Sequence, residues 1–211
     1  QVKVVLAAAA DLAVQSMHST PGHEYSDTTP TPEAFHAKPY PIKHVSVGRP
    51  LMHTHEDVDA LAKALLPTLP KHGRGEAVLL MGHGTEHPAN ASYSALQLAL
   101  WKRDRAVFVG TVEGAPTLED LLPQLKALGM RTAHLVPLMS VAGDHAHNDM
   151  AGPEDDSWAS QLKKAGIASK PVLVGLGSRP SVAQTAPSSA DPRKTRAPLP
   201  IRSSKLRVEV E

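Results

Sequence analysis

The sequence has no cysteine, which excludes disulfides, thiolate metal ligands and a cysteine nucleophile together. It has no excess of charge of either sign. Its 22 Lys and Arg stand against 21 Asp and Glu, so nothing marks it globally for nucleic acid or an anionic membrane, and a charged partner must be met locally. It also lacks a long apolar run: "VVLAAAA" over residues 4–10 falls far short of the roughly 20 residues that cross a bilayer. Lys3 before that run and small residues after it give only a slight likeness to a signal-peptide core. The cytoplasm is therefore the expected compartment, with a periplasmic form left open by a chain that starts at Gln1. With no thiol to use, the 12 histidines are the metal-binding resource of a chain whose 211 residues allow a real core.

Short apolar runs alternate with helix-spaced stretches, the pattern of a parallel sheet with crossover helices. "LAVQSM" (12–17), "HVSVG" (44–48), "AVLLM" (77–81), "AVFVGTV" (106–112), "TAHLVPLM" (132–139) and "PVLV" (171–174) read as strands. The segment between the first two, rich in proline, offers only a short helix. "THEDVDALAKALL" places Val58, Leu61, Ala62 and Leu65 on one helical face behind Thr54 as N-cap, with Asp57 three residues on. Helices are also expected over 92–101, over 117–128 with Thr117 as cap and Pro123 as a kink or a late start, and after "GDHAHND". Strands apolar on both faces suit a sheet covered on both sides. After Gly177 seven basic and three acidic residues share 34 positions with five prolines and no aromatic, which reads as a disordered tail.

In a parallel sheet every strand ends at one edge, and ligands bind beyond it. His83 follows one strand, Glu113 the next and His145 a third, so the three converge if the strands share a sheet. Two imidazoles and a carboxylate suit a borderline divalent cation such as cobalt, nickel, iron or zinc. The plainer readings are a tight turn built by Gly82 and Gly84, a solvated loop acid at Glu113, and a helix entry with Asp144 as cap and His145 in the first turn. A rival motif, "HGTEH", has the H-x-x-E-H spacing of inverted zinc peptidases, with His83 and His87 as ligands and Glu86 as base. It needs a helix through 83–87, against Gly84 and Pro88. His134 reads as a core residue, and Met81, Met139 and Met150 as core filler.

"LMGHGTEHPANASY", "FVGTVEGAPT", "LVPLMSVAGDHAHNDMAGPEDDSWASQLKKAGI" and "VQSMHSTPGHEY" closely resemble the anaerobic sirohydrochlorin cobaltochelatase family of the CbiK type, over about residues 11–177. The resemblance implies an α/β chelatase fold of two similar three-layer, parallel-sheet domains with a tetrapyrrole in the cleft between them. It implies insertion of Co(II), or Fe(II) in some members, into sirohydrochlorin, on the way to cobalamin or siroheme. No organic cofactor, nucleic acid or membrane is implied, and a homo-oligomer is allowed. The family's metal-site histidines fall on His83 and His145, its acidic partner on Glu113 and a further glutamate on Glu24. Asp144 and Asp149 are candidates to orient an imidazole from behind.

The chain departs from the family at both ends. Few residues precede "VQSMH", so residues 1–72 are expected to be an incomplete N-terminal α/β domain. Residues 73–177 then form the C-terminal α/β domain with the metal-site loops, and 178–211 a tail. A non-catalytic metal- or tetrapyrrole-binding relic is the alternative to an active chelatase.

Overall fold

Residues 4–5, 11–28, 44–185, 199–200 and 207–208 are described by the computed structural model, in which the chain forms two units, Gln1–Pro50 with Pro187–Glu211, and Leu51–Ala186. In the first, β2 (Asp11–Val14) runs parallel to β3 (His44–Val47), which pairs antiparallel with β8 (Leu199–Pro200). A separate pair, β1 (Val4–Val5) and β9 (Arg207–Val208), is antiparallel. Helix α1 (His23–Thr28) realises the short helix expected after β2 and carries Glu24 in its first turn. Most of the expected tail and the stretch 29–43, with His36, lie outside the described residues.

The second unit is built on four parallel strands in the order β5-β4-β6-β7. These are β4 (Glu76–Gly84), β5 (Val107–Glu113), β6 (Thr132–Pro137) and β7 (Ala168–Pro171). Alternate side chains of β4 go to opposite layers. Val78 and Leu80 join a cluster with α2 (His55–Leu65) and α3 (Ala91–Trp101). Ala77, Leu79 and Met81 join one with α4 (Leu118–Ala127) and α5 (Trp158–Lys164). This is the three-layer α/β arrangement that strands apolar on both faces demand. The unit starts at Leu51, so α2, drawn from sequence with the N-terminal domain, packs with this sheet.

The helix signals read from sequence act as written. Thr54 Oγ1 accepts from the Asp57 N–H while Asp57 takes the Thr54 N–H, and Val58, Leu61, Ala62 and Leu65 are all buried. Thr117 and Asp120 repeat that box, and α4 runs through Pro123 from Leu118, so the proline neither ends the helix nor delays it. The last strand differs from expectation. β7 is Ala168–Pro171, mostly exposed, and the apolar "VLV" lies just beyond its ladder. An edge strand need not be apolar: Lys170 of β7 meets Glu76 at 3.1 Å. The backbone N–H of Gly73 and then Lys170 hold the Glu76 carboxyl below its ordinary pKa.

The other edge is closed by a polar residue of α3. Gln97 on α3 is buried, donates from Nε2 to the Val107 carbonyl at 2.9 Å and accepts the Val109 N–H at 2.6 Å. One side-chain amide thereby satisfies two outward backbone groups of β5, as a further strand would. Gln97→Leu keeps the volume and strips both partners. It is expected to lower stability by about 2–4 kcal/mol in urea unfolding, whereas a loss under about 0.5 kcal/mol would show the edge bonds to be dispensable.

Residues 178–185, placed by composition in the tail, are structured. Leu176–Ser178 form a 3-10 turn and α6 (Pro180–Ala183) follows, with Leu176 and Val182 in the cluster under α2 and α3. Buried Arg179 donates to the Thr68 carbonyl at 2.6 Å, to Thr68 Oγ1 at 3.0 Å and to the Val174 carbonyl at 3.2 Å. Two apolar anchors and an arginine bonded through both terminal guanidinium nitrogens hold a segment whose average composition reads as unstructured. Among the described residues no helix is long and apolar enough to cross a membrane.

Candidate functional site

The ends of β4, β5 and β6 lie at one edge because the strands are parallel and in register, with Gly84 opposite Glu113 and Met81 opposite Pro137. β4 does not stop at Met81 but runs through "GHG", and the glycines serve close packing rather than a tight turn. A Cβ on Gly82 would lie 2.3 Å from Tyr93 Cε1. Gly84 has φ 85°, and a Cβ there would lie 1.4 Å from the Glu113 carbonyl oxygen. Tyr93, buried on α3, also brings its hydroxyl to the Gly84 N–H at 3.4 Å. His83 is thus carried by a strand end clamped between Tyr93 and β5.

His145 comes from the loop after β6, at the entry of a π-helical turn, Ala146–Met150. Ala146 and Met150 are fully buried and anchor the turn in the core, while His145 and Asp149, four residues apart, stay partly exposed. A helical turn does begin here, but His145 itself occupies the N-cap position and no side chain caps it, so Asp144 is not the cap that the sequence suggested. His145 Nδ1–H donates to Asp149 Oδ2 at 2.5 Å.

His83 and His145, 62 residues apart in sequence, meet edge to face, with ring centroids 4.6 Å apart and planes at 90°. His83 Nδ1–H donates to the Gly84 carbonyl at 3.2 Å, and Glu113 Oε2 stands 3.8 Å from the same nitrogen. With each Nδ1 facing an acceptor, each imidazole keeps its Nε2 lone pair for a metal. Both rings are 39 % exposed, so a cation can reach them from solvent. Among the described residues no three His, Asp or Glu side chains form a ready metal cluster. The pair brings two imidazoles together at the sheet edge, a candidate place for a divalent cation.

The remaining candidates separate. Asp149 orients His145, while Asp144 makes no hydrogen bond or ion pair with either imidazole. Glu24 lies exposed on α1 of the first unit. The peptidase reading of His83, Glu86 and His87 is overturned. Residues 83–84 are strand, and His87 Nδ1 accepts the Ala89 N–H to cap the turn Pro88–Asn90, so no helix stacks the two rings. His134 is buried on β6 beside Glu76, Met81 and Met150 are core, and Met139 is partly buried against it. Sequence reading missed Val141, at 71 % the most exposed large apolar side chain among the described residues, four positions before His145. Its loop is pinned from below, since the Leu176 N–H donates to the Met139 carbonyl at 2.8 Å and the Gly177 N–H to the Ser140 carbonyl at 3.0 Å. Leu173 and Val174, also exposed, directly precede Gly175, which packs against the backbone of Ser140 and Val141. A valine inside "LMSVAGD" carries no periodic signal of its exposure.

A family model described as cobalt chelatase (CbiK) matches residues 5–185. The sirohydrochlorin cobaltochelatase CbiKC of Nitratidesulfovibrio vulgaris is 42% identical over 165 residues, which cover 78% of this chain and 58% of that protein. The sirohydrochlorin cobaltochelatase of Salmonella typhimurium is 37% identical over 172 residues, 82% of this chain and 64% of that protein. The chain thus spans less than two thirds of the length of either relative. Among solved structures, SirB from Bacillus subtilis with Fe3+ superposes with a TM-score of 0.54 at 17% identity, covering 84% of this chain and 69% of that one, which shows a common fold.

Proposed function

The chain belongs to the CbiK family of cobalt chelatases, and from that premise we propose that it inserts Co(II) into sirohydrochlorin, with Fe(II) as an alternative substrate metal and no organic cofactor. The observation that carries this reading is the 4.6 Å approach of the His83 and His145 rings. Insertion must strip water from a divalent cation, hold it over the macrocycle and remove two pyrrole protons. Neutral imidazoles bind borderline cations firmly yet reversibly, which serves the first two demands. Glu113, 60 % exposed and 3.8 Å from His83 Nδ1, is the carboxylate proposed to accept a proton and pass it to water. At 3.8 Å it lies outside hydrogen-bond reach of that nitrogen, and it is also proposed to assist in coordinating the metal. Glu24 is proposed, from the family resemblance, as a further acid of the reaction.

The substrate is flat and apolar in its plane and carboxylate-rich at its rim. Val141, with Leu173 and Val174, is proposed to bear the flat face, since these exposed apolar side chains on a pinned loop offer a surface that an apolar ring could cover. Val141→Asp adds like charge against the carboxylates and is expected to raise KM for sirohydrochlorin about tenfold, the equivalent of about 1.4 kcal/mol, with cobalt binding unchanged. An unchanged KM would remove Val141 from the substrate surface. The activity itself is tested by mixing the protein with sirohydrochlorin and cobalt(II). Replacement of the free-base absorption by that of the metal complex, at a rate proportional to protein, is expected; a rate equal to the protein-free control would refute it.

A further inference from the structure

We infer that the two imidazoles are unequal arms: Asp149 makes His145 the arm that keeps the metal, and His83 is the arm that releases it first as pyrrole nitrogens take over. This rests on the reading of the pair as the substrate-metal site. The asymmetry lies behind the rings. His145 Nδ1–H is held by a carboxylate at 2.5 Å, a charge-assisted bond that enriches the ring and raises its strength as a ligand. His83 Nδ1–H has only the neutral carbonyl of the next residue at 3.2 Å, and Glu113 at 3.8 Å stands beyond hydrogen-bonding reach.

The two mounts differ in the same direction. The turn bearing both His145 and Asp149 is fixed by the fully buried Ala146 and Met150, so ring and carboxylate move as one body. The backbone of His83 is clamped by β5, but its ring has no comparable anchor, so it can swing while the strand stays in place. During insertion the metal bond to His83 Nε2 breaks as the first bond to a pyrrole nitrogen forms, and that pyrrole's proton leaves to Glu113 or water. The bond to His145 Nε2 breaks last, as the remaining pyrrole nitrogens close around the ion and the second pyrrole proton passes to water. Asp149 is a positioning residue in this scheme, acting through His145.

Titration of the full chain with cobalt(II) alone, followed by the visible d–d absorption of the bound ion, tests the inference. Asp149→Asn leaves an amide oxygen to accept the Nδ1–H but removes the charge. It is expected to weaken cobalt binding roughly 10-fold or more and to shift the d–d band. Asp144→Asn, in the same segment but without a bond to the ring, is expected to leave both as in the wild type. His145→Ala is expected to lose more affinity than His83→Ala. Wild-type affinity in the Asp149→Asn chain, or equal losses in the two alanine variants, would overturn the inference while leaving the pair as the metal site. Unchanged binding in both alanine variants would overturn the metal site itself, and the inference with it.

Discussion

Replacing His145 by alanine is expected to reduce cobalt insertion by more than about 100-fold while leaving the protein folded. The loss exceeds what removing an outer partner of a metal ligand costs, because one of the two proposed ligand nitrogens is itself removed. Folding is expected to survive because the turn is held by Ala146 and Met150, not by the half-exposed ring. Surface substitutions of this kind stay within about 0.5 kcal/mol. The assay is the rate of sirohydrochlorin metallation beside a urea unfolding curve. Wild-type rates in the variant would take His145 out of the reaction, and a large fall in stability would reassign it to structure.

The second large effect is expected at a residue that touches no metal. Gly84→Ala introduces a methyl group 1.4 Å from the Glu113 carbonyl oxygen in a residue at φ 85°, so the backbone itself must shift. The pairing of Gly84 with Glu113 then opens, and His83 and Glu113 are displaced together. A stability loss of about 4 kcal/mol and loss of cobalt binding are expected, measured by urea unfolding and cobalt titration. Gly129→Ala separates crowding from backbone strain. Gly129 has φ 68° but nothing within 4 Å of the added methyl group, so a cost of about 1–2 kcal/mol and intact cobalt binding are expected. Equal effects at the two positions would mean that the contact with β5 is not what secures His83.

His83, Glu113 and His145 could be placed at one edge from sequence because each follows a strand apolar on both faces, and such strands have few options but a parallel sheet between helices. The Thr54 cap and the buried face of α2 were legible for a similar reason, since their pattern is local. What escaped depends on contacts that only the packed fold supplies. Nothing in "YSALQLALW" marks Gln97 as the partner of Val107 and Val109, because that bond exists only once α3 lies along β5. Arg179 reads as one cation of a basic tail until Thr68, 111 residues away, supplies its acceptors. "GHG" suggested a turn because glycine pairs usually serve one, whereas here each gives way to a neighbour that only the fold provides, Tyr93 and Glu113. The choice between Asp144 and Asp149 was equally closed to sequence. Both sit within four residues of His145, and the direction in which the turn winds decides for Asp149.

X-ray absorption at the cobalt edge, with one equivalent of cobalt(II) on the full chain and no tetrapyrrole, addresses the shared site most directly. Twelve histidines make loose binding elsewhere a real competitor, so the comparison is among the wild type, His83→Ala and His145→Ala. Two imidazole nitrogens per cobalt in the wild type and one in each variant is the predicted result. A wild-type spectrum with fewer than two imidazoles, or a count unaltered by either substitution, would contradict it.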